Sequence, residues 1–248
     1  MDIQSFLFKA VVFAIVVTSC IALYKYKGFP LVLGIAAWFL YFTFIEQTGI
    51  LSLLRWYPDQ NRYFLFHIGN IGEAIILLLM YREIFKKYVK KTEKYVYRKI
   101  FVILIAMFAL FAVASAIWWQ PLGIYPSYTR VVLSVIIVLL NILYIYKYTV
   151  HEPIPRTGLE LANYQRSKIS LFWITTGLLL FHSVSVMRYM FVNVLREELS
   201  KEAYTNISNV QAVFAIILYV FIAIGFIKAK RIVIVDEHGN KVDEKKLK

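Results

Sequence analysis

Seven runs of roughly 20 mostly apolar residues follow one another along this chain, each the length of a helix that crosses a bilayer. No water is present in hydrocarbon to satisfy backbone N–H and C=O groups. A crossing segment therefore closes its own hydrogen bonds as a helix. The runs predict helices at about 5–24, 28–54, 61–83, 100–119, 129–148, 169–192 and 208–228. Pro30, Pro58, Pro121, Pro126, Pro153 and Pro155 fall in or beside the connections, where a missing N–H costs least. The expected fold class is all-α: a polytopic membrane protein, a seven-transmembrane-helix bundle over residues 1–230 with a short basic tail at 231–248. Hydrophobic residues make up 60% of the chain, above the roughly 45–50% of soluble domains, and no stretch is left for a separate soluble domain.

Charge orders the helices across the membrane. The loops after the first, third and fifth runs, with the C-terminal tail, carry 21 of the 28 Lys and Arg residues; the other side carries seven. Basic residues accumulate on the cytoplasmic side, so this asymmetry predicts an outside N-terminus and a cytoplasmic C-terminus. An odd number of crossings requires the same opposition. The net charge of +13 is thus read as a topology signal rather than as a nucleic-acid footprint, and no nucleic acid is expected as a partner. The expected location is the inner (plasma) membrane, multi-pass. The first apolar run has no basic stretch before it and no small-x-small site after it, so no cleavable signal is expected. Cys20 is the single cysteine, which rules out an intrachain disulfide or a thiolate metal cluster.

Carboxylates in a bilayer interior cost a few kcal/mol by insertion scales, so they are read first as functional groups. Glu46, His67, Asn70 and Glu73 stand in the second and third runs, Asn141 in the fifth and His182 in the sixth. At about 1.5 Å of rise per residue these groups fall in one slab of the outer half of the membrane, with Asn141 near the depth of Glu73. His67, Asn70 and Glu73 follow i, i+3, i+6 spacing, close to one face of a helix. The set suits a ligand pocket or a proton relay; interhelical hydrogen bonds that only pin packing would account for the same residues. Zinc could be held by Glu46, His67, Glu73 and His182, but no HxxxH or HExxH puts two ligands on one helix face, and zinc is not favoured. At the outer ends stand Arg55, Arg62, Arg130 and Arg188, whose guanidinium groups suit anion contacts with carboxylate or phosphate.

The segments FIEQTGI at 44–50, NIGEAIILLLMYREIF at 70–85 and ISLFWITTGLLLFHSVSV at 169–186 resemble uncharacterised bacterial seven-helix integral membrane proteins. Some of those are similar to the membrane input domains of sensor kinases. The resemblance implies a sensor or accessory protein and carries over no catalytic residues. Rhodopsins offer a second comparison, but a retinal Schiff base needs a lysine midway along the seventh helix. That helix is apolar here until Lys228, so no retinal is expected.

Three functions follow as expectations. The first is an inner-membrane sensor that binds a small or lipidic ligand in the polar pocket, with membrane lipid around it and a cytoplasmic or membrane protein reading its basic loops. The second is a proton- or cation-coupled transporter or channel using the same carboxylates. The third is a metal-assisted intramembrane enzyme acting on lipid. The tail RIVIVDEHGNKVDEKKLK reads as a small hairpin turning at Gly239-Asn240, too short for an output domain of its own.

Overall fold

The computed structural model describes residues 3–25, 31–56, 63–86, 94–121, 126–150, 158–195 and 200–229. Among these residues the chain forms seven α-helices: α1 (Ile3–Lys25), α2 (Leu31–Trp56), α3 (Tyr63–Phe85), α4 (Lys94–Trp118), α5 (Ser127–Val150), α6 (Gly158–Leu195) and α7 (Lys201–Lys228). Among the described residues, six helices are long and apolar enough to cross a membrane: α1, α3, α4, α5, α6 and α7. The tail expected as a hairpin lies outside the described residues.

Three helices start well before the sequence expectation, α4, α6 and α7, and each difference has a local cause. Residues 158–168, expected in a loop, are the opening turns of α6. They contain Leu159-Glu160-Leu161-Ala162, strong helix formers that an apolar-length criterion ignores. At 38 residues α6 is far longer than one bilayer core requires, and it contains the stretch Lys168–Phe191, long and apolar enough to cross. The start of α7 lies at Lys201 rather than near residue 208 because Ser200 caps it: the hydroxyl accepts from the Ala203 amide at 3.1 Å. Glu202 in that first turn complements the helix dipole. Likewise α4 starts at Lys94 instead of residue 100. Tyr97 in its first turn donates through its hydroxyl to the Arg82 carbonyl at 2.6 Å, satisfying an orphan acceptor at the end of α3.

Val, Ile and Thr are common in these helices despite modest helix propensity. Hydroxyls inside them bond back to the carbonyl four residues earlier, as Thr18 does to Ala14, Thr43 to Phe39 and Thr175 to Leu171. Each helix packs on its chain neighbour, α3 also meets α5, and α7 returns to α1, so the contacts close on themselves. Leu33, Ala37, Leu40, Leu77, Tyr81, Leu133, Ile137 and Phe226 lie in the buried core. The outer surface is strongly apolar, with Val102, Ile103, Met107, Leu110 and Ile117 exposed along α4 alone. A soluble monomer rarely exposes a contiguous patch of this kind; acyl chains cover one readily.

Close helix approach is bought with glycine at four places. Gly69 and Gly72 on α3 leave room for the Glu46 carboxylate and the Phe42 ring of α2. Gly225 on α7 leaves room for Ile174 and the Ser170 carbonyl of α6, and Gly177 on α6 for Phe221 of α7. Small residues at such crossings let backbones approach and strengthen dispersion contact, the main attraction between helices in lipid.

Candidate functional site

The polar groups of α2, α3, α5 and α6 meet around Glu73. Its Oε2 accepts from Nη1 of Arg130 on α5, an ion pair with both side chains largely buried. The same Nη1 lies 3.2 Å from Oδ1 of Asn70, one turn before Glu73 on α3. The Asn70 amide donates in turn to the Pro126 carbonyl at 3.5 Å, tying α3 to the start of α5. The other carboxylate oxygen of Glu73, Oε1, stands 3.9 Å from Nε2 of His182 on α6. That separation is too long for a hydrogen bond, and Nε2 makes none. On the far side of the ring Nδ1 lies 3.1 Å from the Ser134 hydroxyl, one turn after Arg130 on α5. His182 is fully buried, with the Phe181 ring edge-on to it at 5.3 Å and the Arg130 guanidinium 6.0 Å from that same ring.

Glu46 completes the acidic complement. It is half-buried on α2, seated against Gly69, within electrostatic range of both Glu73 and Arg130. Tyr219 of α7 lies in the same field. With histidine counted neutral, Glu46, Glu73 and Arg130 sum to one negative charge. A low-dielectric interior makes such an imbalance among the described residues costly.

Arg130 and Asn141 take separate places in the structure. Arg130 was expected among the outer-face anion contacts; it turns inward to Glu73 and Asn70 instead, because a buried carboxylate within reach outweighs solvation at a helix end. Asn141, expected near the depth of Glu73, is fully buried against Tyr81: its Oδ1 accepts from the Tyr81 hydroxyl at 2.6 Å and its amide donates to the Ile137 carbonyl at 2.9 Å. Eleven residues separate Asn141 from Arg130, roughly 16 Å along α5. His67 is buried on α3 two turns before Glu73. Arg188 sits at the α6–α7 contact, away from the centre, donating to the Ser208 hydroxyl at 3.2 Å. Arg62 and the Arg55 side chain lie outside the described residues.

Sequence reasoning missed Ser134, Phe181, Tyr81 and Tyr219. Ser134 was detectable, since it follows Arg130 by four residues and so shares its face. The aromatic groups gave no signal above the 17% aromatic background. Among the described residues no three His, Cys, Asp or Glu side chains stand together as a metal-ligand set. No protein-family model, curated protein or solved structure matches this chain.

Proposed function

We propose that this chain is a seven-span bundle of the inner membrane, N-terminus outside and C-terminus cytoplasmic, whose Glu73 centre takes up and releases one positive charge. A proton- or cation-coupled transporter or channel is the activity that suits it best. The 21-to-seven distribution of basic residues supports the orientation. One observation carries the function: among the described residues, Glu46 and Glu73 are set against the single cation Arg130, and an imidazole Nε2 faces Glu73 across 3.9 Å. A proton needs no cavity, only a path of titratable groups and water. Half-buried Glu46 is the group through which such a path reaches the centre, and Ser134 is the next polar atom beyond His182.

The test is flux into proteoliposomes under an imposed pH or cation gradient, read with a trapped indicator. Wild-type protein should dissipate the gradient, and Glu46→Gln and Glu73→Gln should reduce flux to that of empty vesicles. Wild-type vesicles as tight as empty ones would remove this reading.

A second reading, a sensor of a small or lipidic ligand, is favoured by the course of α3. The helix that carries Asn70 and Glu73 also carries Arg82 and Glu83, where the Tyr97 hydroxyl holds the Arg82 carbonyl and Glu83 pairs with Arg82 and Lys86. A rigid shift of α3 at the centre would reach the basic connection before α4. A discrete mass bound to the purified chain in native mass spectrometry, lost in Glu73→Gln, would select this reading.

A further inference from the structure

Which ion the Glu73 centre can take depends on which of its oxygen and nitrogen atoms are already engaged. Oε2 of Glu73 accepts from Arg130, and so does Oδ1 of Asn70, at 3.2 Å. The Pro126 carbonyl accepts from the Asn70 amide and, at 3.1 Å, from the Arg130 backbone N–H. The Ser134 hydroxyl is held by Nδ1 of His182. The backbone of α2, α3, α5 and α6 runs through the centre as unbroken helix, so its carbonyls are bonded one turn on. What faces the other carboxylate oxygen of Glu73, Oε1, is Nε2 of His182, a fully buried imidazole nitrogen without a hydrogen bond.

A sodium ion needs several oxygens at once, and transporters supply them largely from unwound backbone. Here the oxygens could be given to a metal cation only by taking them from Arg130, Asn70 or His182, and the guanidinium fixed on Glu73 repels a second cation. A proton needs only one lone pair on each side of its path, which Oε1 and Nε2 provide. They stand 3.9 Å apart, and about 1 Å of closure brings them into hydrogen-bond range. The charged and titratable groups around this pair, among the described residues, are Glu46 from α2, Arg130 from α5 and Tyr219 from α7, with His67 buried two turns before Glu73 on α3.

We propose, resting on the reading that this centre takes up and releases a positive charge, that the charge is a proton and that His182 receives it from Glu73. The O–H bond at Oε1 of Glu73 breaks and an N–H bond forms at Nε2 of His182. Nδ1 keeps its own proton and donates it to the Ser134 oxygen, which accepts as readily as it donates. Glutamic acid and neutral imidazole become carboxylate and imidazolium with no change in total charge, and Arg130 holds the carboxylate that results. Ser134 is a positioning residue: a hydrogen bond at Nδ1 fixes which nitrogen is bare toward Glu73.

The test uses purified full-length protein in proteoliposomes, one set holding a trapped pH dye and another a trapped sodium dye. A pH gradient is imposed with N-methylglucamine as the bulk cation and thiocyanate as the permeant counter-ion; a sodium gradient is imposed at equal pH. Wild type should dissipate the pH gradient without sodium or potassium and admit no more sodium than empty vesicles. His182→Gln should slow proton flux by about 100-fold, the lower end for removing a positioned proton-transfer group. Ser134→Ala should slow it by about tenfold, the effect of one hydrogen bond to a charged ring, and Ser134→Thr, which keeps the hydroxyl, should restore it. Sodium entry, or proton flux that requires sodium, would overturn the proton while leaving a cation-coupled centre in place. Proton flux at the wild-type rate in His182→Gln, or in Ser134→Ala should the histidine variant not fold, would overturn the transfer to the ring. Vesicles tight to both ions would remove the reading on which the proposal rests.

Discussion

The ion pair between Glu73 and Arg130 is the contact from which the charge assignment of the centre can be measured. Breaking a buried pair by removing one partner costs about 3–5 kcal/mol, because the survivor is left uncompensated. The two halves of this pair differ in what survives. In Glu73→Gln, Arg130 keeps the Asn70 carbonyl at 3.2 Å and the field of Glu46, so the loss should be nearer 2 kcal/mol than 5. In Arg130→Gln, Glu46 and Glu73 face one another with no other cation beside them among the described residues, and the full 3–5 kcal/mol is expected. For a chain of this size 1 kcal/mol moves Tm by about 2–4 °C, so Arg130→Gln should melt of order 10 °C below wild type. The double variant should recover part of the loss, giving a coupling energy of about 2–3 kcal/mol in the mutant cycle. Glu46→Gln carries the opposite sign: it removes a like charge and leaves a balanced pair, so stability should hold or rise. The assay is reversible unfolding in mixed micelles on all four members of the cycle and on Glu46→Gln. Additivity of the Glu73 and Arg130 losses within about 0.5 kcal/mol would refute the pairing. A Glu46→Gln loss as large as that of Glu73→Gln would refute the charge count.

Tyr81→Phe removes the donor to Asn141 and should cost about 1 kcal/mol in the same unfolding assay, while adding Asn141→Leu should restore most of it by removing the orphaned acceptor. Gly225→Ala puts a Cβ 2.6 Å from Ile174 Cγ1 and 2.9 Å from the Ser170 carbonyl, which cannot yield, so it should destabilise by about 1–3 kcal/mol. Gly34→Ala, which meets nothing within 4 Å, should be neutral or gain up to about 1 kcal/mol. Reporter fusions should place the C-terminus in the cytoplasm and the N-terminus outside; both ends on one side would exclude seven crossings.

The helices were legible because a bilayer leaves a chain so few choices. A run of apolar residues long enough to cross must satisfy its backbone internally, so length and hydropathy alone located the middle of every helix from α1 to α7. Their ends were less legible for the same reason. Outside hydrocarbon the constraint lapses, and local chemistry decides: Ser200 starts α7, and Leu159 to Ala162 carry α6 back to Gly158. Apolar length is blind to a capping hydroxyl.

The candidate site was legible as residue types and illegible as partnerships. Glu46, Glu73 and His182 stood out because ionisable groups are rare in such helices, and the structure brings all three toward Arg130. The pairing of Arg130 was not legible, since nothing local tells an arginine at a helix end whether to extend to headgroups or fold inward. That choice depends on a carboxylate 57 positions away in sequence. Its consequence is functional. An outward Arg130 would leave Glu73 and Glu46 as bare acids lining a pocket for an anion-guided ligand, the arrangement that put the sensor first. An inward Arg130 pairs with one carboxylate and leaves Glu46 beside that pair, the arrangement on which the proposed uptake of a positive charge rests. Gly69 sets the distance at which that excess acts, because a side chain there would occupy the space now held by the Glu46 carboxylate. The small residue in the HIGNIGE stretch is therefore as much a part of the electrostatics as the acids on either side of it.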